Sequence, residues 1–148
     1  MNAIILNIGK EFSLYPGLRT YDISERTSGE VFYHEFLNPK FYQALQEMNS
    51  LKVILDGTMG YTPSFIDEAF GRLVYDFGES QVRKTLEVES NEEPSWKNQI
   101  DDKTIPQWEK RRKINDAPVN TEGYNVPSWW HMDNAGNMTL ISSYHGRK

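Results

Sequence analysis

The sequence predicts an α/β fold, in which helices pack on a mixed, mostly parallel sheet, with a C-terminal extension of helices and a β-hairpin. Short runs rich in isoleucine, leucine and valine alternate with segments whose apolar residues recur at helical spacing. Because parallel neighbours need a crossover between them, this alternation favours parallel strands joined by right-handed helical connections. All four tryptophans follow residue 95, and this shift in composition marks the extension.

Composition sets limits on the class of protein. A chain of 148 residues fits one domain and buries roughly 70% of its unfolded surface. Cysteine is absent, which excludes disulfides and thiol nucleophiles and fits a reducing compartment, so we expect a cytoplasmic protein. The apolar run at 3–8 is too short for a membrane span and lacks the flanks of a signal peptide.

The net charge of −5 argues against nucleic acid as a partner. Residues 1–90 hold 13 acidic and 8 basic side chains, whereas residues 91–148 hold 8 of each. An acidic main domain repels a phosphate backbone at long range. The basic run Lys110–Lys113 is typical of a solvated helix face.

The first elements follow from local signals. Residues 3–8 predict a strand, and Pro16–Gly17 predicts a turn. Thr27 or Ser28 is expected to cap a helix, which Asn38–Pro39 then interrupts. A second helix follows, with an apolar stripe of Phe41, Tyr42, Leu45 and Met48.

The middle of the chain holds the clearest strand and helix. The continuous apolar run at 53–55 predicts a central strand covered on both faces, and Asp56 marks its end. Ser64 is expected to cap a long helix that Gly78 ends. The apolar face of this helix comprises Phe65, Ala69, Phe70, Leu73, Val74 and Phe77.

Residues after Gly78 carry further elements. Residues 80–85 predict a short helix, and the alternation at 86–89 predicts a strand. We expect one helix to begin at Pro94 and a second to be capped by Thr104.

The C-terminal extension ends in a loop and a hairpin. Residues 115–127 lack any period and predict a loop. The segments 129–132 and 138–141 flank a five-residue turn and predict a β-hairpin. Its open edge makes a homodimer by strand addition a geometric alternative to a monomer.

Four short motifs in the N-terminal part resemble a known family. They read Gly17-x-Arg19, Ser28-Gly29-Glu30-x-Phe32, Leu37-x-Pro39 and Ser64-Phe65-x-x-Glu68-Ala69-Phe70-Gly71. This pattern resembles the bacterial STAS-like family of unassigned function, which is related to anti-sigma-factor antagonists. The resemblance covers about residues 1–90, which we interpret as a STAS-like α/β core, with residues 91–148 as an unrecognised extension packed on it.

The resemblance implies a regulatory protein that is not an enzyme and binds a protein partner, with an ATPase of the histidine-kinase type as the suggested partner. In the antagonists, a serine at a helix start is phosphorylated to switch partner binding. Ser64 and Thr62 are the phosphoacceptor candidates here. The implied partner-binding residues at 62–68 are Thr62, Ser64, Phe65, Asp67 and Glu68.

Physical chemistry leaves a plainer role open for the same residues. A phosphate on Ser64 would face the amides of the helix start, but Asp67 and Glu68 in the first turn would oppose it. Ser64 as a helix cap only, and Glu68 as a partner of Arg19, is the alternative.

Two other functions compete with this hypothesis. Trp129 and Trp130 predict an interface, so the chain can instead be a small interaction or inhibitor protein that binds through its extension. The glycine-containing loop at 57–64 is a weaker hypothesis for nucleotide binding or catalysis, in which Asp56 and Glu68 could form a carboxylate pair.

The sequence predicts neither a metal site nor a cofactor. His34, His131 and His145 are scattered, without the spacing of metal ligands, and each is expected at the surface or at an interface.

Overall fold

A computed structural model describes residues 3–142 and contains a three-stranded parallel sheet. The strands β1 (Ile4–Asn7), β2 (Leu51–Ile54) and β3 (Leu86–Glu89) lie in the order β1-β2-β3. Their register places Leu6 beside Val53 and Val53 beside Val88. The predicted α/β fold with parallel strands is therefore confirmed.

Only one face of this sheet is fully covered. Leu51 and Val53 are buried, whereas Lys52 and Ile54 on the other face of β2 keep contact with solvent. Lys52 Nζ forms an ion pair with Glu89 across that face at 2.8 Å. The prediction that β2 is covered on both faces was wrong. The apolar run at 53–55 includes Leu55, which is buried but lies beyond the end of the strand, so the run does not show that buried and partly exposed residues alternate within β2.

The described part of the chain contains eight α-helices. They are α1 (Ile8–Glu11), α2 (Tyr21–Ser24), α3 (Gly29–Phe32), α4 (Asn38–Gln46), α5 (Pro63–Phe77), α6 (Glu79–Thr85), α7 (Ser95–Gln99) and α8 (Ile105–Lys113). A 3-10 turn (Glu25–Thr27) precedes α3, whose cap is Ser28, since its Oγ accepts a hydrogen bond from Val31 N at 3.1 Å.

Two prolines, including Pro39, which was expected to interrupt a helix, lie inside continuous helical segments. A π-helical turn (Tyr33–Leu37) joins α3 to α4, and another (Ile100–Thr104) joins α7 to α8. Pro39 and Pro106 follow these turns, each as the second residue of the next helix. A proline ring clashes with the carbonyl four residues earlier in a regular α-helix, and a wider preceding turn relieves that clash.

Asn38–Pro39 therefore does not interrupt the first helical segment, and Thr104 is not a helix cap. Thr104 has helical backbone angles and is fully buried, and its hydroxyl donates to Asp67 Oδ1 at 3.3 Å. Met48, assigned to the apolar stripe, lies beyond the end of α4 and is 86% exposed.

Helix α5 is the centre of the core. Its cap is Thr62, whose Oγ1 accepts from Phe65 N at 3.1 Å, so the assignment of the cap to Ser64 was wrong. Pro63 occupies the first helical position, where its missing N–H costs nothing. Gly78, with φ of 88°, ends the helix as expected.

The extension packs directly on α5. Trp108 of α8 lies against Gly71, so close that a Cβ atom at position 71 would be 2.1 Å from its ring. The strands β4 (Trp129–Met132) and β5 (Met138–Ile141) pair antiparallel, which confirms the predicted hairpin. No helix within residues 3–142 is long and apolar enough to cross a membrane.

Candidate functional site

The hydroxyl of Thr62 is fully engaged in the fold. Besides capping α5, Thr62 Oγ1 donates to Gly17 O at 3.0 Å and lies 3.2 Å from Ser64 Oγ. Ser64 is partly exposed, as the second residue of the helix. Of the two candidate phosphoacceptors, Ser64 is therefore the one whose hydroxyl is not needed to hold the start of α5.

Phe65 is part of the core. Its ring is fully buried, with centroids 5.8 Å from Phe32, 6.1 Å from Phe12 and 5.7 Å from Tyr61. In this conformation Phe65 holds α5 against the N-terminal segments and offers no surface to a partner.

Asp67 and Glu68 lie beyond the first turn of α5, and both bind Arg19. Arg19 Nη1 is 2.9 Å from Asp67 Oδ2 and 3.1 Å from Glu68 Oε1, so the expected contact between Glu68 and Arg19 is present. Asp67 also accepts from Trp108 Nε1 at 3.2 Å. The two carboxylates thus connect the N-terminal loop, α5 and α8, and their pairing with Arg19 weakens the repulsion we expected them to exert on a phosphate at Ser64.

A buried polar network, which the sequence did not predict, runs beside α5. Arg72 lies one turn after Glu68, is 2% exposed, and donates Nε to Glu68 Oε2. Its other nitrogens hold the loop after α8: Nη1 donates to Asn120 Oδ1 and Nη2 to Val119 O, both at 2.8 Å.

Glu30 of α3 holds the same loop from the other side. It is fully buried and accepts from Thr121 N at 2.8 Å and Thr121 Oγ1 at 2.7 Å. Arg72 Nη2 lies 3.8 Å from Glu30 Oε2. Residues 119–121 are therefore fixed by one buried cation and one buried anion.

His34 lies inside this network, which corrects the expectation that it lies at the surface or at an interface. It is 1% exposed, and its Nε2 is 3.0 Å from Asn120 Oδ1 and 3.1 Å from Arg72 Nη1. Within residues 3–142, its Nδ1 has no hydrogen-bond partner. Burial, reinforced by the neighbouring Arg72 charge, lowers the pKa of His34 to about 3, so the ring is neutral.

A second polar group lies one turn further along α5. Asp76 accepts from the buried Tyr33 hydroxyl and pairs with His131 Nδ1 at 2.8 Å. Burial raises the pKa of Asp76, and it also raises the pKa of Tyr33. Asn38 Nδ2 donates to Tyr33 Oη at 2.8 Å. His131 thus lies where the hairpin contacts α5, whereas His145 lies outside the described residues.

One sequence signal could have revealed this network. Glu68, Arg72 and Asp76 recur every four residues on a helix whose other buried residues are mostly apolar. Charged residues at that spacing on a core-facing helix indicate buried ion pairs rather than a solvated stripe.

Both tryptophans of the hairpin pack inward. Trp130 stacks on Tyr42 with centroids 3.8 Å apart and planes 3° from parallel. Trp129 contacts His34 edge to face at 4.9 Å and packs against the small apolar cluster of Val31, Tyr124 and Val126. Their main contacts thus attach the hairpin to the body.

An acidic pocket lies at the carboxyl ends of β2 and β3. It has a volume of about 190 Å³. Its lining includes the acidic residues Asp56, Glu92 and Glu93 and the aromatic residues Tyr61 and Trp96. Asp56 accepts from the Asn91 amide at 2.9 Å, and Glu92 Oε1 accepts from Gly57 N at 3.0 Å.

This pocket is unsuited to the phosphate suggested for the loop at 57–64. A carboxylate already takes the Gly57 amide that a phosphate would need, and the surrounding acids repel an anion. Asp56 accepts hydrogen bonds from residues 91 and 92, whereas Glu68 pairs with Arg19 and Arg72. The two carboxylates therefore bind separate partners. The described part of the chain holds no group of three or more His, Asp or Glu side chains placed to bind a metal ion.

Four exposed apolar side chains, here called the rim patch, lie on the loop at 57–64 and on the N-terminal loop that is hydrogen-bonded to it. They are Leu14, Tyr15, Leu18 and Met59. Met59 is 74% exposed and Tyr15 67%, and Met59 N donates to Leu14 O at 2.8 Å. The hydrogen bond from Thr62 Oγ1 to Gly17 O ties the N-terminal loop to the start of α5.

Comparison with known proteins identifies one part of the chain. Residues 28–96 match the family model of a STAS-like domain of unknown function. The match extends from the cap of α3 to Trp96 in α7 and includes all of α5. No curated protein and no solved structure matches the chain.

Proposed function

We propose that this chain, whose residues 28–96 belong to the STAS-like domain family of unknown function, is a non-enzymatic regulatory module that binds a protein partner. The binding surface is the rim patch together with the exposed start of α5. The resemblance to anti-sigma-factor antagonists suggests that the partner is an ATPase of the histidine-kinase type. We propose that this chain and its partner act in the cytoplasm.

The exposed apolar side chains on these two neighbouring loops support this proposal. Ten large apolar side chains are exposed within residues 3–142, and four of them form the rim patch. Apolar side chains that gather at one exposed place are typical of protein interfaces, whereas single exposed ones need no explanation. The rim patch also adjoins the segment that the resemblance implies for partner binding.

The buried network gives the segment at 62–68 a supporting role in this function. Phe65 and Glu68 hold α5 and the N-terminal loop in place, and the exposed side chains next to them make the contact. A regulatory phosphate would be added to Ser64, since modification of Thr62 would remove the cap of α5 and the bond to Gly17.

A pair of matched lysine substitutions tests the proposal. Leu14→Lys places a charge in the rim patch, and Met48→Lys makes the same kind of change at an exposed apolar residue after α4. Affinity capture from the native host, with mass spectrometry, identifies proteins retained by the unmodified chain. We expect Leu14→Lys to lose the specific partner and Met48→Lys to retain it.

Binding is then repeated with the purified partner, and the melting temperature of each variant is measured. Equal binding by both variants would remove the rim patch from the interface. Loss of binding together with a lower melting temperature in Leu14→Lys would reduce Leu14 to a structural role.

A further inference from the structure

We propose that the acidic pocket receives one basic side chain, arginine or lysine, of the protein partner. This inference rests on the proposed function, because it assigns a chemical preference to the same binding surface. Met59 lines the pocket and also belongs to the rim patch, so a partner that covers the patch also covers the mouth of the pocket.

The size and walls of the pocket suit a single side chain. Its volume of about 190 Å³ is below the roughly 300–1,000 Å³ of sites for drug-sized molecules. Tyr61 and Trp96 form two walls, with ring centroids 6.1 Å apart and planes at 78°. Tyr61 is held in place by its hydroxyl, which donates to Leu55 O at 2.7 Å. The two rings contact each other edge to face, and the face of an aromatic ring attracts a cation.

The charge of the pocket has no counter-ion. Asp56, Glu92 and Glu93 form no ion pair within the described part of the chain and accept hydrogen bonds from amides or a hydroxyl only. Burial raises the pKa of Tyr61 to about 12, and the charges of Asp56 and Glu92 add to this effect, so both carboxylates act on the pocket wall. These carboxylates would attract a bound ammonium or guanidinium group.

Other ligand classes fit less well. A phosphate would meet three carboxylates, and an apolar group would leave them uncompensated at its border. The described residues contain no arrangement for a metal ion. Aromatic walls together with uncompensated carboxylates therefore favour an organic cation.

The test uses the full chain and two peptides, acetyl-Gly-Arg-Gly-amide and its citrulline analogue, which is similar in shape but uncharged. Binding is followed by the NMR signal of the Trp96 indole N–H, assigned with Trp96→Phe. We expect the arginine peptide to bind with a Kd of about 1 mM, and the citrulline peptide at least about tenfold more weakly. Added salt should weaken the binding of the arginine peptide.

Two matched variants localise the binding. Glu93 is an exposed residue of the pocket, and Glu93→Gln should weaken binding of the arginine peptide about two- to fivefold. Glu47→Gln, an equally conservative change, lies before the start of β2, at the opposite end of the sheet, and should leave the affinity unchanged.

The proposal fails if no saturable shift is seen, if citrulline binds as well as arginine, or if Glu93→Gln has no effect. Equal affinity for methylguanidine and the arginine peptide would assign the pocket to a small free cation instead of a partner side chain. If the peptides fail while Leu14→Lys still abolishes partner capture, the proposed function stands and only the pocket assignment falls. If the peptides behave as expected but the rim variants bind the partner equally, only the proposed function falls.

Discussion

Acidification tests the environment of His34 directly. The folded chain holds this ring neutral with a pKa of about 3, whereas the ordinary value is 6.5. Below pH 6.5 the His34 ring therefore binds a proton in the unfolded chain but not in the folded chain. The free energy of unfolding consequently falls as the pH is lowered, until the pH reaches about 3. Relative to pH 7, His34 alone should cost about 1.3 kcal/mol at pH 5.5 and about 2.6 kcal/mol at pH 4.5.

Other titratable groups also change the free energy of unfolding with pH, so the measurement must isolate the contribution of His34. Arg72 opposes the charging of His34, but the raised pKa of Asp76 acts in the other direction, since the folded chain takes up that proton more readily than the unfolded chain. The difference between the unmodified chain and His34→Gln cancels Asp76 and all other common groups. Urea unfolding at the three pH values gives that difference.

We expect the stability of the unmodified chain to fall faster than that of His34→Gln by the amounts given above. An equal fall in both proteins would refute the argument. So would an NMR titration of the His34 Cε1 proton in the folded protein with a midpoint near 6.5.

Three further substitutions test the packing around α5, with urea unfolding as the measurement. Gly71→Ala forces a methyl group into the Trp108 ring and should lower the free energy of unfolding by about 1–3 kcal/mol. The loss should be smaller in a Trp108→Leu background, and an equal loss in both backgrounds would contradict the contact. Thr62→Ala should cost about 1 kcal/mol and Ser64→Ala less than about 0.5 kcal/mol, whereas the reverse order would restore Ser64 as the cap. Arg72→Met should cost about 3–5 kcal/mol because it leaves buried carboxylates uncompensated, and a loss below about 1 kcal/mol would show that the network does not need its cation.

Local patterns predicted most of the secondary structure. The strands β1 and β3 and the hairpin were expected within a residue or two of their bounds, because apolar alternation and turn residues act over short distances. The π-helical turns were missed, since a proline in a sequence is normally a boundary and only the packed structure shows the helix continuing. The choice between Thr62 and Ser64 as cap was wrong because two hydroxyls compete there.

The candidate site was predictable only in part. The loop after β2 was correctly expected at the carboxyl end of the sheet, where a pocket now lies. The partner of Glu68 was also expected, since Arg19 belongs to the same set of motifs. The pairing of Glu30 with Thr121 joins elements that are far apart in the chain, and no local pattern contains that information.

The sequence by itself determined the α/β class, the order of its elements, the family resemblance and the acidic character of the main domain, because each depends on composition or short-range periodicity. Only the tertiary structure decided which groups the buried charges of α5 pair with. Arg72 and His34 are held together by a loop almost fifty residues after Arg72. The pKa of a side chain depends on the dielectric and the charges around it in space, and the chain defines those surroundings only when it is folded.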